Sequence, residues 1–340
     1  MNLNSAGLNS QATAVSYCNG GDICGPSRSE PKFTAAEFAS SINGLKFSTT
    51  ACVIKLRALK FQKQRLRMIH HFADLLDRKD DYWAMVPNRE RFAFALNGPA
   101  ADKQSLQIAT IGADTPFWEQ IFECGDLQEL TLHLPSKEQI AAISRLRQLK
   151  RLRIMRVQVK NTNFLAELPL LQELVLEYVS GFCDLSPLRE LKSLRSAHFE
   201  NLRRVSDFSG LSGIASLRYL CISGTLDWDQ PIADFEFLKG LTGLEVLKLT
   251  WVKCKAPYPA LLPLAALKNL KRISLYPHAF ALEEYALAQL ICEGVEGAQM
   301  PLAMEFKDTG YVYFLGRGSG YTKMGAKNEL QRRAEFEQKF

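Results

Sequence analysis

Five histidines, at positions 70, 71, 133, 198 and 278, are the side chains of this 340-residue sequence best suited to moving a proton near neutral pH. A relay needs a second group within hydrogen-bond reach, and a metal site needs ligands on one face of an element. His70 and His71 are adjacent, so on a helix they diverge and form no metal pair. The eight cysteines, at 18, 24, 52, 124, 183, 221, 254 and 292, contain no CxxC pair and no metal-ligand spacing. They read as free thiols, which suits a reducing compartment. The glycine run "GRGSGY" at 316–321 suggests a phosphate loop, yet it is neither G-x-x-x-x-G-K-[ST] nor a full G-x-G-x-x-G, because Tyr321 stands at the third glycine position. Neither a nucleophile elbow nor a zinc signature occurs. The expectation is a chain that is not an enzyme, with no cofactor, no metal and no small-molecule substrate.

The elements that would position the remaining histidines follow a repeat. "LTGLEVLKLTWV", residues 241–252, sets Leu241, Leu244, Leu247 and Leu249 three, three and two apart. The same apolar spacing starts again at Cys124, Leu146, Leu168, Leu191, Ile214 and Leu267, and the second positions (127, 149, 171, 194, 217, 244 and 270) lie 22 to 27 residues apart. With 47% hydrophobic residues, a single match arises from composition about 5% of the time. Seven at near-constant spacing mean an internal repeat. The two-residue step is a strand, whose alternate residues face one side. One unit cannot bury its own leucines, so the copies stack into a parallel sheet over a continuous apolar core. Leu106 and Ile108 in "SLQIATIG" suggest an eighth, N-terminal copy. On this sheet His133 and His198 stand three strands apart, ~14 Å, too far for one relay.

The stretches "CDLSPLRELKSLRSAHF" and "ISRLRQLKRLRIM" carry the pattern L-x-x-L-x-x-L-x-L, and through them the chain resembles the leucine-rich repeat family, in its short-repeat branch of about 22 residues, over roughly 120–280. The resemblance implies an α/β solenoid with a parallel β-sheet on its concave face, a helical N-terminal cap and an α+β C-terminal cap. It also implies a non-catalytic scaffold that binds another protein on that face. Where the family places Asn between turns, this sequence has Pro135, Val157, Val179, Leu202, Thr225, Val252 and His278. The expected domains are a disordered leader at 1–32, a basic helical region at 33–98, the solenoid at 99–280 and a capping segment at 281–340. In that last segment "ALEEYALAQLIC" reads as a helix, "GYVYFLGRGSG" as a strand entering a glycine turn, and "NELQRRAEFEQKF" as a helix.

Residues between and just after the strand leucines project from the concave sheet. They single out Arg153, Arg156, Tyr178, Tyr219, Trp251 and Tyr276 as partner-binding residues, with Trp228 as a further anchor on a loop insertion. Arg151 and Glu173 fall at equivalent positions of neighbouring strands and should form an internal salt bridge, whereas Arg153 and Arg156 have less obvious local partners. The net charge of +6 is uneven: the first hundred residues hold 13 basic and 8 acidic side chains, the last forty 7 and 5, and the middle a near-neutral 22 and 23. Lys55, Arg57, Lys60, Lys63, Arg65 and Arg67 precede the next acid, Asp74, so an anionic surface, membrane or nucleic acid, would meet this segment first. The Ser-, Asn- and Gly-rich leader is similar to those of bacterial type III effectors, which would imply export to a host cell by a non-Sec route; otherwise a cytoplasmic location is expected. No apolar run approaches the ~18 residues of a membrane-spanning helix.

Overall fold

The computed structural model describes residues 94–340, which fall within the unit Arg67–Phe340. The leader at 1–32, nearly all of the 33–98 region and the basic positions Lys55 to Arg67 lie outside the described residues.

Strands β1 (Ile108–Ile111), β2 (Glu129–His133), β3 (Arg151–Gln158), β4 (Glu173–Ser180), β5 (Ser196–Glu200) and β6 (Tyr219–Ser223) pair in chain order, all parallel. After a short outlying strand β7 (Gln230–Ile232) the sheet continues with β8 (Val246–Thr250) and, after β9 (Val252–Cys254), with β10 (Arg272–Leu275). The register never slips: Leu130, Leu152, Leu174, Ala197, Leu220, Leu247 and Ile273 stand side by side across seven strands. All are at most 1% exposed. The fold is a leucine-rich repeat solenoid. An eighth strand does precede the seven, but Ile108 pairs with Glu129 and so faces outward, while Ala109 and Ile111 take the core positions. The expectation for Ile108 was one residue out of register, which on a strand exchanges the two faces.

Each repeat returns through a short helical limb: the 3₁₀ turn Trp118–Glu123 after β1, then α1 (Lys137–Ala142) and α2 (Asn163–Ala166), then further 3₁₀ turns such as Ser186–Glu190 and Glu236–Gly240. Local chemistry starts these limbs. Ser136 and Gln139 form a reciprocal capping box at α1. In the next four limbs the side chains of Asn161, Asp184, Asp207 and Asp234 each accept from the backbone N–H two residues on, at 2.7–3.1 Å. That is a repeated Asx turn, which bends the chain back towards the convex side.

The positions that lack the family's Asn are mostly apolar and packed. Val179, Leu202 and Val252 are buried and Val157 lies against the same core, with Val157 paired to Val179 across the long strands β3 and β4. One polar side chain does what an Asn would do. Gln230, fully buried, accepts from Leu202 N–H at 2.8 Å and donates to the Val205 carbonyl at 2.7 Å. Beneath the strands Phe199, Phe208, Phe237, Phe235 and Phe280 touch in series at 5.8–6.4 Å, carrying the core from the fifth strand to the C-terminal cap.

That cap contains α3 (Leu282–Ile291), an antiparallel sheet of β11 (Ala303–Phe306), β12 (Tyr311–Phe314) and β13 (Tyr321–Lys323), and α4 (Glu329–Glu337). The sequence reading finds both helices and β12 but not β11 or β13. Glu284 on α3, 4% exposed, ties the cap to the last return limb by accepting from Ala260 N–H at 2.7 Å and Leu261 N–H at 2.9 Å. Gly316, Gly318 and Gly320, all with positive φ, turn the chain from β12 to β13.

Replacing Gln230 by Ala strands a buried donor and a buried acceptor and should cost about 2–4 kcal/mol. Leu226→Ala, at a 53% exposed position of the same insertion, should change stability by under ~0.5 kcal/mol. Urea unfolding of the two variants checks both values.

Candidate functional site

The outward positions of the solenoid sheet carry charge in layers. In the first layer Arg151 lies between two acids, with Nη1 2.6 Å from Glu129 Oε1 and Nε 3.1 Å from Glu173 Oε1. The register of β2, β3 and β4 places these three side by side, so the predicted Arg151–Glu173 pair is present and Glu129 completes it. Burial alone would favour the neutral guanidine, but Glu173 and then Glu129 outweigh it and hold the Arg151 pKa above its usual value.

The second layer is fully enclosed. Arg153 reaches across to Glu177, with Nη2 2.5 Å from Oε1 and Nε 3.2 Å from Oε2, and both side chains are 0% exposed. The less obvious partner of Arg153 is Glu177, one strand over and two pairs along, close enough for a bidentate clasp. Tyr219, also proposed as a contact residue, is only 5% exposed. In this structure neither Arg153 nor Tyr219 presents a surface to a partner.

On β5 and β6, His198 hydrogen-bonds Cys221 and lies 3.8 Å (Nε2 to Oε2) from Glu200, which in turn bonds the Tyr178 hydroxyl. Burial opposes the imidazolium, yet Cys221 and Glu200 prevail and raise the His198 pKa to about 10. The Tyr178 phenol is pushed up by burial and then by Glu200. Donor atoms of Glu177, His198 and Glu200 come within 4.8 Å of one another, the one such trio among the described residues. Both Glu177 oxygens are taken by Arg153, so the trio belongs to a buried network of charged side chains. His133, on β2, is three strands from His198 on β5.

At the sixth position of five repeat strands the backbone changes hand. Leu134, Arg156, Tyr178, Asn201 and Trp251 hold φ between 50° and 55°. A bulky L-residue in this left-handed region costs about 1–2 kcal/mol relative to its normal backbone. Gly224 occupies the equivalent place after β6, where a Cβ would stand 2.3 Å from the carbonyl oxygens of Trp228 and Trp251. Glycine is thus used where backbone crowds, and large side chains stand where the position opens outward. Leu134 is 51% exposed, Arg156 is exposed and sits 5.5 Å over the Tyr178 ring, and Tyr178 is 38% exposed. Further along, half-buried Trp251 stacks on Tyr276 at 4.0 Å.

Of the seven residues proposed for partner contact, Arg156, Tyr178, Trp251 and Tyr276 therefore lie at an accessible rim. Trp228 sits half-buried in a tight turn paired to Thr225. The rim extends beyond the sequence prediction: Tyr276 meets His278 at 5.8 Å, and His278 meets Tyr313 of the C-terminal sheet at 5.9 Å. Reading "GYVYFLGRGSG" as a strand entering a glycine turn gives no sign that the cap brings Tyr313 to the rim.

The cysteines among the described residues, Cys124, Cys183, Cys221, Cys254 and Cys292, are free thiols. Among the described residues no helix is long and apolar enough to cross a membrane.

No family model and no curated protein matches the sequence. Solved structures similar to this chain include an internalin of Listeria monocytogenes, at TM-score 0.46 and 21% identity over 57% of this chain and 54% of that one. Internalin C2 of the same organism gives TM-score 0.35 and 24% identity over 46% of this chain and 65% of that one. A leucine-rich repeat protein of Leptospira interrogans gives 0.40 and 18% over 64% of this chain and 62% of that one. The matched stretch spans between half and two thirds of each of these chains.

Two outcomes follow from the network. Arg153→Met, which leaves Glu177 buried with its clasp removed, should lose about 3–5 kcal/mol, and the double variant Arg153→Met/Glu177→Leu should regain most of it; denaturant titration of the three proteins measures this. Because the His198 pKa is raised in the folded chain, its contribution is complete below the unfolded value near 6.5 and is lost as pH rises towards about 10. The urea midpoint of the wild type should therefore fall over that interval more steeply than that of His198→Gln.

Proposed function

We propose that this chain is a non-catalytic scaffold that holds another protein along the rim where the strands leave the solenoid sheet. The reading rests on one observation: Arg156, Tyr178 and Trp251 occupy left-handed backbone positions that glycine would fill at less cost, and each presents a large side chain outward. Aromatic rings and arginine are the groups that dominate protein interfaces, since they offer large contact area with little rotamer entropy to lose. The layered salt bridges support the rim by fixing the strands beneath it. Tyr178 in particular is held from two sides, by the Glu200 carboxylate at its hydroxyl and the Arg156 guanidinium over its ring.

The surface so defined is narrower than the sequence alone suggested, because Arg153 and Tyr219 are buried. Recognition falls to Arg156, Tyr178, Trp251 and Tyr276. The adaptor reading, through Lys55, Arg57, Lys60, Lys63, Arg65 and Arg67, and the exported-effector reading, through residues 1–32, concern chain outside the described residues.

Affinity capture from extracts of the native cell, with bound proteins quantified by mass spectrometry, tests the proposal. A partner held by the wild type should be retained at least about tenfold less by Tyr178→Ala/Trp251→Ala, a loss of ~1.4 kcal/mol or more. Leu290→Ala, at a 78% exposed position on α3, serves as control and should leave capture intact. Equal retention by the rim variant and the control sinks the proposal.

A further inference from the structure

The helix that closes the solenoid is apolar on its outer face as well as its inner one. Tyr285 and Ala288 of α3 are buried in the core, together with Glu284. The other side carries Leu282, Ala286, Leu287 and Leu290, which recur at helical spacing, and Glu283 is its one charge. Leu290 is 78% exposed. A helix with apolar residues on both faces is ordinarily covered on both, and the terminal unit of a repeat array ordinarily turns a polar face to water. Leu330 of α4, 81% exposed, is a different case: its neighbours are Glu329 and Gln331, and a single exposed leucine needs no partner.

The outer residues of α3 form one wall of a groove. Tyr258, 61% exposed, Phe340, 39% exposed, and Lys339 supply the rest of its lining, and its volume is about 290 Å³. The Tyr258 loop is held firmly. Glu284, from the inner side of α3, accepts from the N–H groups of Ala260 and Leu261, and Pro257 and Pro259 restrict the backbone on either side of the ring. Tyr258 therefore has little freedom left to lose on contact.

We infer that this groove is where a second copy of the chain docks, with the α3 helices meeting about a twofold axis. Size and charge both pick this occupant. Scaled from ~150–250 Å² for a whole aromatic side chain, the exposed apolar surface is roughly 400 Å² per copy. Two such patches with their polar edges reach about 1,000 Å², the lower limit of a specific contact, so the dimer is a reversible one. Glu283 and Lys339, both exposed, line the same groove with opposite signs. A twofold axis between them brings Glu283 of each copy to Lys339 of the other, which makes the patch complementary to itself. An anionic membrane or a charged ligand calls instead for a surround of one sign. The groove shares no residue with the rim of Arg156, Tyr178, Trp251 and Tyr276, so the inference stands apart from the scaffold function.

Sedimentation velocity of the full chain from about 1 to 200 μM reads the association. The wild type should pass from one chain to two and no further, with its midpoint in the micromolar range. Leu290→Glu and Tyr258→Ser, both at exposed positions, should each weaken the dimer at least tenfold. Glu283→Lys and Lys339→Glu should each weaken it at least threefold, because like charges then face one another. Mixed in equal amounts, these two charge variants should associate within twofold of the wild type, since each supplies the sign that the other lacks. A wild type that stays a single chain at every concentration overturns the inference, whether or not it floats with phosphatidylcholine vesicles. Growth beyond two chains, a dimer indifferent to Leu290→Glu and Tyr258→Ser, or a mixture no tighter than its components overturns it equally.

Discussion

Register is the constraint on which everything else in this molecule depends. A parallel strand of four or five residues has too little inward surface to persist by itself; it is stable only when its leucines lie level with those of the strands on either side. Seven strands meet that condition at Leu130, Leu152, Leu174, Ala197, Leu220, Leu247 and Ile273. Once the inward residues are level, the outward ones are level too, and side chains far apart in sequence become neighbours. Arg151 meets Glu129 and Glu173 for this reason, and Arg153 meets Glu177. The alignment also puts the left-handed residues that follow five of the strands, Leu134, Arg156, Tyr178, Asn201 and Trp251, in one row at the rim.

The outer face then divides by chemistry. Over β2 to β6 it is a closed set of ion pairs, complete enough that Arg153 and Glu177 are fully buried. Such pairs add little net stability when compared with apolar substitutes, but they penalise any slip in register, because a displaced strand would leave a charge buried alone. From β8 onward the face turns aromatic, and the C-terminal sheet prolongs it with Tyr313, Tyr321 and Tyr311. A stiff ledger of charges thus holds a row of rings in place, and rigid presentation is what lowers the entropic cost of binding.

Much of this was legible in the amino-acid sequence. The 3-3-2 spacing at Leu241, Leu244, Leu247 and Leu249 reads directly as strand and core, and the Arg151–Glu173 pair follows from counting to equivalent positions. Three things were not. Arg153 needed a partner two pairs along a neighbouring strand, and counting finds only the residue directly opposite, Val175. Ile108 was placed on the wrong face because "QIATI" offers two apolar sets one residue apart, and only the neighbouring strand chooses between them. The third concerns the cap: β11 and β13 are short, "YVYF" signals β12 alone, and the junction of Tyr276, His278 and Tyr313 belongs to tertiary packing. The Asx turns at Asp184, Asp207 and Asp234 did have a sequence signal, an acid two residues before each return limb, which the leucine pattern overshadows.

The row at the rim can be tested through the backbone by itself. Tyr178→Gly and Trp251→Gly remove the same side chains as Tyr178→Ala and Trp251→Ala, so each pair differs only in backbone freedom. In ordinary conformations the Ala variant is the more stable, by about 0.4–1 kcal/mol. With φ near 55° and 51° the order reverses here, and both Gly variants should unfold at higher urea than their Ala counterparts. Ala variants that are the more stable at both positions would show that the strands do not leave the sheet together in a left-handed turn, and the aligned rim would not exist.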